Sequence, residues 1–145
     1  MCSSDLALAR DITEFVSVED LGDGKEALSE VKITYHSACS MQHGQKITTK
    51  PKILLKALGA SVREPAEGHL CCGSAGTYNL LQPDISSQLK DRKLRNIAKS
   101  QPQIVATGNI GCMKQLEKGV GVPLVHTAQL LDWATGGPKP HQLDR

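Results

Sequence analysis

Four cysteines carry most of the chemistry open to this sequence: Cys39, the vicinal pair Cys71-Cys72, and Cys112. The pair lies in His69-Leu70-Cys71-Cys72-Gly73-Ser74-Ala75-Gly76-Thr77-Tyr78-Asn79. Gly73 and Gly76 permit positive φ and close backbone approach, and Ser74 and Thr77 can donate hydrogen bonds or cap a helix. A thiol pair in such a loop can sit against an inorganic centre, with backbone N–H groups aimed at sulfur. Four thiolates suit a [4Fe–4S] cluster and also a structural zinc ion. Adjacent cysteines diverge unless the backbone turns sharply, which favours a spread-out cluster over one compact ion. The Cys-x₂₋₄-Cys spacing usual at zinc is absent, so zinc is kept as the alternative ligand.

Bland readings stand beside this one. A single cysteine is most often a small buried hydrophobe, and Cys112 after Gly111 could be a core residue at a helix start. The pair alone could be core packing or a strained disulfide. Their shared placement raises the joint case. His36, His43, His69 and His126 lie near the same turns, but each reads more readily as a surface or hydrogen-bonding histidine than as a ligand. His43 is the best candidate to support a ligand from behind, since Gly44 and Gln45 follow it in the Cys39 loop. The run Lys90-Asp91-Arg92-Lys93 reads as a solvated helix face, with a docking role for Arg92 and Arg95 as a weaker option.

The elements that must position the thiols follow from periodicity and punctuation. Ser4 or Asp5 caps a first helix to about Val16, with Leu6, Ala9, Ile12 and Phe15 or Val16 as its stripe. Residues 31–36 alternate and are β-branched, hence a strand; residues 37–45 form a loop. A helix over about 50–58 carries Pro51 in its first turn and ends at Gly59. A short strand at 60–63 leads to the Cys-Cys loop, and 78–81 is a helical turn. Pro83-Asp84 opens a charged helix to about Lys99, with Ile85, Leu89, Leu94 and Ile97 as its buried stripe. A buried strand over 103–107, a glycine-containing turn, a short helix over 113–117, a strand at 123–126, and a helix capped by Thr127 complete the pattern. Residues 136–145 read as a loose tail.

This alternation predicts an α/β fold: a small parallel sheet with helices on both faces. Sites in such sheets form outside the carboxyl ends of strands. Cys39 follows the first strand, the pair the second, and Cys112 the third, so three turns at one sheet edge can deliver four thiolates to one place.

The 145 residues suit one domain. Hydrophobic residues make up 39% and aromatic residues 3%, so the core must be aliphatic. A net charge of +2 is too mild to imply nucleic acid. No run approaches the roughly 18 apolar residues of a membrane span, and the chain reads as cytoplasmic. An odd count of five cysteines argues against a disulfide framework. Cys2, at the start, reads as uninvolved.

The stretch Leu70 to Tyr78, with His36-Ser37-Ala38-Cys39 and His43-Gly44-Gln45-Lys46 upstream and Gly108-Asn109-Ile110-Gly111-Cys112 downstream, resembles the cysteine-rich CCG domain. Such domains occur in heterodisulfide reductases and in glycolate oxidase iron–sulfur subunits, and the resemblance is strongest to the latter branch. The family pattern of one Cys, then Cys-Cys, then Cys-x-x-Cys has Asn109 here in place of one cysteine, and Ala38 where Pro is frequent. The resemblance implies a single domain that is about the last third of a longer subunit. It implies Cys39, Cys71, Cys72 and Cys112 as ligands of an iron–sulfur cluster, tuned by N–H groups of Gly73, Ser74 and Gly111. It further implies electron transfer from a flavin-containing subunit that oxidises glycolate toward a membrane acceptor, with no residue here acting on glycolate. The partners would then be that flavin subunit and the rest of the iron–sulfur subunit, in a complex peripheral on the cytoplasmic face of the inner membrane. A zinc-stabilised docking module and a disulfide-reducing domain of the heterodisulfide reductase type are the alternatives.

Overall fold

The computed structural model describes residues 8–24 and 27–144. Four strands form one sheet: β1 (Lys32–Tyr35), β2 (Ser61–Arg63), β3 (Ile104–Thr107) and β4 (Leu124–His126). Their order is β2-β1-β3-β4 and every pairing is parallel. The helices are α1 (Ile12–Phe15), α2 (Lys50–Ala57), α3 (Tyr78–Leu81), α4 (Pro83–Lys99), α5 (Ile110–Leu116) and α6 (Thr127–Ala134). The expected class, a small parallel α/β sheet, is what the chain adopts.

Strand alternation divides the core between the two sheet faces. Ile33, Tyr35, Ile104, Ala106 and Val125 face one way and pack with Leu54, Leu55 and Leu58 around α2 and with Leu130, Leu131 and Ala134 of α6. Val105 and Leu124 face the other way and pack with Ile97 of α4, Met113 and Leu116 of α5, and Met41 and Ile47. Cys72 and Cys112 belong to this second cluster. The connection from β1 leaves toward the edge strand β2, whereas that from β3 leaves toward β4, so the carboxyl ends of β1 and β3 flank the crevice where sites form.

Local chemistry accounts for the ends of most elements. Pro51 sits in the first turn of α2 and Gly59, at φ 86°, follows its end. Asn109 caps α5 by accepting from the Cys112 N–H, which starts that helix three residues earlier than periodicity suggests. The cap of α6 is His126, whose ring accepts from the Ala128 N–H, and Thr127 is the first helical residue instead of the cap.

Four further expectations need correction. The first helix is not continuous to Val16: Asp11 is extended, and it opens the single turn α1 through a capping box with Glu14. Its apolar residues are not buried, for Ile12 and Phe15 are exposed and Thr13 is the buried one; Leu6 and the Ser4 or Asp5 cap lie outside the described residues. On α4 the buried residues are Ser86, Lys93, Asn96 and Ile97, while Ile85 is exposed. The stretch expected as a loop after β1 holds one π-helical turn, Ser40–Gln45, with Cys39 at its head. Within 136–144, a 3₁₀ turn at His141–Asp144 sets Leu143 against the core.

Candidate metal centre

The thiol-bearing loops all leave the carboxyl edge of the sheet. Cys39 heads the π-helical turn after β1, the vicinal pair follows β2, and Cys112 lies in the first turn of α5 after β3. All four cysteines are free. Cys72 and Cys112 are buried, whereas Cys39 and Cys71 are half-buried. The four interact in two tight couples, Cys39 with Cys71 and Cys72 with Cys112. Cys112 also feels the charges of Cys39 and Cys71, so the sulfurs form one group. Cys2 lies outside the described residues.

Gly73 shows why the loop takes the shape it does. Its φ is +90°, and a Cβ there would lie 2.4 Å from the Ser86 carbonyl oxygen of α4. That close approach lets the Gly73 N–H reach back to the Cys71 sulfur at 3.3 Å. The Gly73 carbonyl accepts from Ser86 Oγ at 2.9 Å, which in turn accepts from Gln115 Nε2 at 2.9 Å. One hydrogen-bonded relay thus joins the cysteine loop, α4 and α5. The Ser74 backbone N–H points at the Cys72 sulfur, and a Cβ on Gly111 would sit 3.0 Å from Ser74 Oγ. Asn109 Nδ2 donates to Ser40 Oγ at 3.3 Å, tying the Cys112 helix to the Cys39 turn.

The other side of the vicinal pair is gripped by α4 as well. Glu67, at φ 55°, stands in the turn that leads to Cys71. Its carboxylate accepts from the Arg92 guanidinium and, at 2.8 Å, from Asn96 Nδ2. Lys93 is fully buried, and its ammonium donates to the carbonyls of Glu67 at 3.0 Å and Gly68 at 3.4 Å. Arg92 is solvent-exposed, as its place in a charged run suggests, while its guanidinium pairs with Glu67; the exception in that run is Lys93, which is buried.

Electrostatics follow from this packing. The hydrogen bond with Cys112 holds the Cys72 thiol down, and the facing His36 ring and the Ser74 N–H add to the effect. The Cys112 thiol is pushed up, first by that same bond and then by burial. Burial raises the Cys71 thiol against the Gly73 N–H. Burial also lowers the Lys93 ammonium, and the nearby cysteines oppose that by attracting its charge.

The hydrogen bonds from Arg92 and Asn96 hold the Glu67 carboxyl down to about 2. The ionised form is thus favoured in the folded state, so its contribution is complete above the unfolded value near 4.3 and lost as pH falls toward 2. The urea midpoint of the metal-free chain should fall across that window, and Glu67→Gln should flatten that part of the profile.

His36 is the site residue that sequence reading passed over. It follows β1, it is 1% exposed, and neither ring nitrogen has a hydrogen-bond partner among the described residues. One of its ring nitrogens and the sulfurs of Cys72 and Cys112 lie within 4.8 Å of one another. The signal lay in the strand alternation, which puts His36 on the same face as Thr34, toward the thiols. His43, favoured from sequence, is exposed, with Nε2 3.5 Å from the His69 carbonyl. Thiols, an unpartnered imidazole and converging N–H groups form a donor set that fits a transition metal or an iron–sulfur group.

Residues 33–117 match the CCG family, described as a cysteine-rich domain. The chain belongs to this family. The CCG match runs from β1 to the end of α5, so it contains His36 and all four thiols. Over 127 residues the chain is 33% identical to the glycolate oxidase iron-sulfur subunit of Escherichia coli strain K12, covering 88% of this chain and 31% of that protein. It is 28% identical over 131 residues to lactate utilization protein A of Exiguobacterium sp., covering 86% of this chain and 52% of that one. The CCG chain therefore spans about a third of the first relative and about half of the second. No described helix is long and apolar enough to cross a membrane.

Proposed function

We propose that this CCG domain is an electron-carrying part of an oxidoreductase of the glycolate oxidase type, holding an iron–sulfur cluster, [4Fe–4S] in its simplest form, on Cys39, Cys71, Cys72 and Cys112. The convergence of four free thiols from three crossovers at one sheet edge carries this reading. The relatives named as iron-sulfur subunits of glycolate oxidase support it. The cluster would supply reversible one-electron chemistry. This chain's residues would hold and tune it: the N–H groups of Gly73 and Ser74 point at sulfur, Gly111 leaves room for Ser74, and the buried Lys93 ammonium offsets thiolate charge. The half-buried Cys39 and Cys71 mark the side on which electrons would enter or leave. The flavin subunit, the remainder of the iron–sulfur subunit and a cytoplasmic, membrane-peripheral setting complete the proposed complex.

The tight grouping of His36, Cys72 and Cys112 favours a second reading, a zinc-stabilised docking module, because a structural zinc ion takes such mixed ligands. Anaerobic analysis of iron, acid-labile sulfide and zinc on the full chain separates the two. Iron with equimolar sulfide in brown protein, both lost in Cys72→Ser, supports the carrier. One zinc without sulfide in colourless protein overturns it.

A further inference from the structure

We infer that His36 is itself a metal ligand, so that the centre is a mixed nitrogen–sulfur one in which His36, Cys72 and Cys112 share one metal atom. This rests on the second reading above, a single bound metal ion, because each iron of a [4Fe–4S] cluster already holds three bridging sulfides and takes one protein donor. Two observations carry it independently. The first is the cost of His36 as it stands. Its ring is buried and faces no oxygen or nitrogen partner among the described residues; only the Cys72 sulfur stands against it, so at least one ring nitrogen is orphaned, at a cost of about 1–3 kcal/mol. Such groups call for an explanation, and a bound ion is one. The second is reach. Ligands of one metal atom can be no farther apart than their two bond lengths allow, roughly 4.6 Å for two sulfurs and about 4.4 Å for sulfur and imidazole nitrogen. At tetrahedral angles those separations shrink to about 3.8 and 3.6 Å; the three donor atoms already lie within 4.8 Å of one another, so side-chain movements of about an ångström or less close them on a common metal.

The backbone keeps the imidazole there. The His36 N–H donates to the Ala106 carbonyl at 2.8 Å, extending the parallel ladder of the two central strands past Tyr35 and Ala106. The same register brings Thr107 alongside His36, and the Thr107 hydroxyl is also buried without a partner. Cys39 and Cys71 then form the outer couple, on the solvent side.

The test is anaerobic cobalt(II) titration of the reduced, metal-free full chain, with X-ray absorption at the cobalt edge. The expected result is a tetrahedral sphere of sulfur with one imidazole nitrogen in the wild type. His36→Gln should lose that nitrogen and weaken cobalt binding by at least about tenfold, while His43→Gln and His126→Gln keep both. An all-sulfur sphere in the wild type, a nitrogen that survives His36→Gln, or failure of cobalt to bind would overturn the inference. The wild-type spectrum needs no variant to fold. Iron and sulfide content is measured separately: with both present and no imidazole bound, the inference falls and the carrier reading stands. Zinc without sulfide on an imidazole-containing site reverses that.

Discussion

Gly73→Ala is expected to destabilise the metal-free chain by about 2–5 kcal/mol, the combined scale of a strained left-handed residue and an overpacked contact. The added methyl would meet the Ser86 carbonyl oxygen at 2.4 Å, and that oxygen belongs to the backbone of α4, which cannot swing aside. It would also press on Ser86 Oγ and Gln115 Nε2, both at 3.1 Å, and so break the relay that joins the loop to two helices. Gly76→Ala is the internal control. Gly76 also has positive φ, at +65°, but nothing lies within 4 Å of its Cβ position. Only strain remains, about 1–2 kcal/mol. Urea unfolding of the two variants measures the difference. Equal losses would mean that the contact with α4 contributes nothing.

Lys93→Met is the second large effect. Methionine fills a similar volume, but it leaves the carbonyls of Glu67 and Gly68 without their donor, at about 1–3 kcal/mol. It also removes the buried cation nearest the thiols. A positive charge there favours thiolate over thiol and the more reduced, more negative state of any bound cluster. Without it, the thiols of the metal-free chain should react more slowly with an alkylating probe at neutral pH, and the midpoint potential of the loaded protein should fall. Lys93→Arg keeps the charge and should restore most of the potential, even where crowding costs stability. A potential unmoved by Lys93→Met would show that the ammonium only braces the loop.

The parts of the molecule that were legible in the sequence are those set by local chemistry. The alternation in residues 31–36, the Pro51 and Gly59 limits of α2, and the Pro83 start of α4 all depend on residues close to each other. So does the placement of Cys39, the vicinal pair and Cys112 after successive strands, which needed only strand order and direction. The capping box of Asp11 and Glu14 was equally local, yet an apolar periodicity running through it suggested a longer helix. The buried face of α4 was not legible. Ser86, Lys93 and Asn96 are inside because they serve Glu67, Gly68 and Gly73, more than a dozen residues earlier in the chain, and no period within the helix encodes that. His36 was missed for a related reason: a lone histidine ending a strand gains meaning only when sulfurs from two distant loops arrive beside it.

One helix holds both flanks of the vicinal cysteines, through Ser86 on one side and the trio Arg92, Lys93 and Asn96 on the other. Ser86 and Lys93 are two turns apart, about 10 Å along the axis, so the loop is clamped to a stiff rod at two separate points. Sulfurs mounted this way are in position before any guest arrives, and capture of an ion has little chain entropy left to remove. Loading should accordingly be fast and nearly silent in far-ultraviolet circular dichroism, unlike small domains that fold only around their metal.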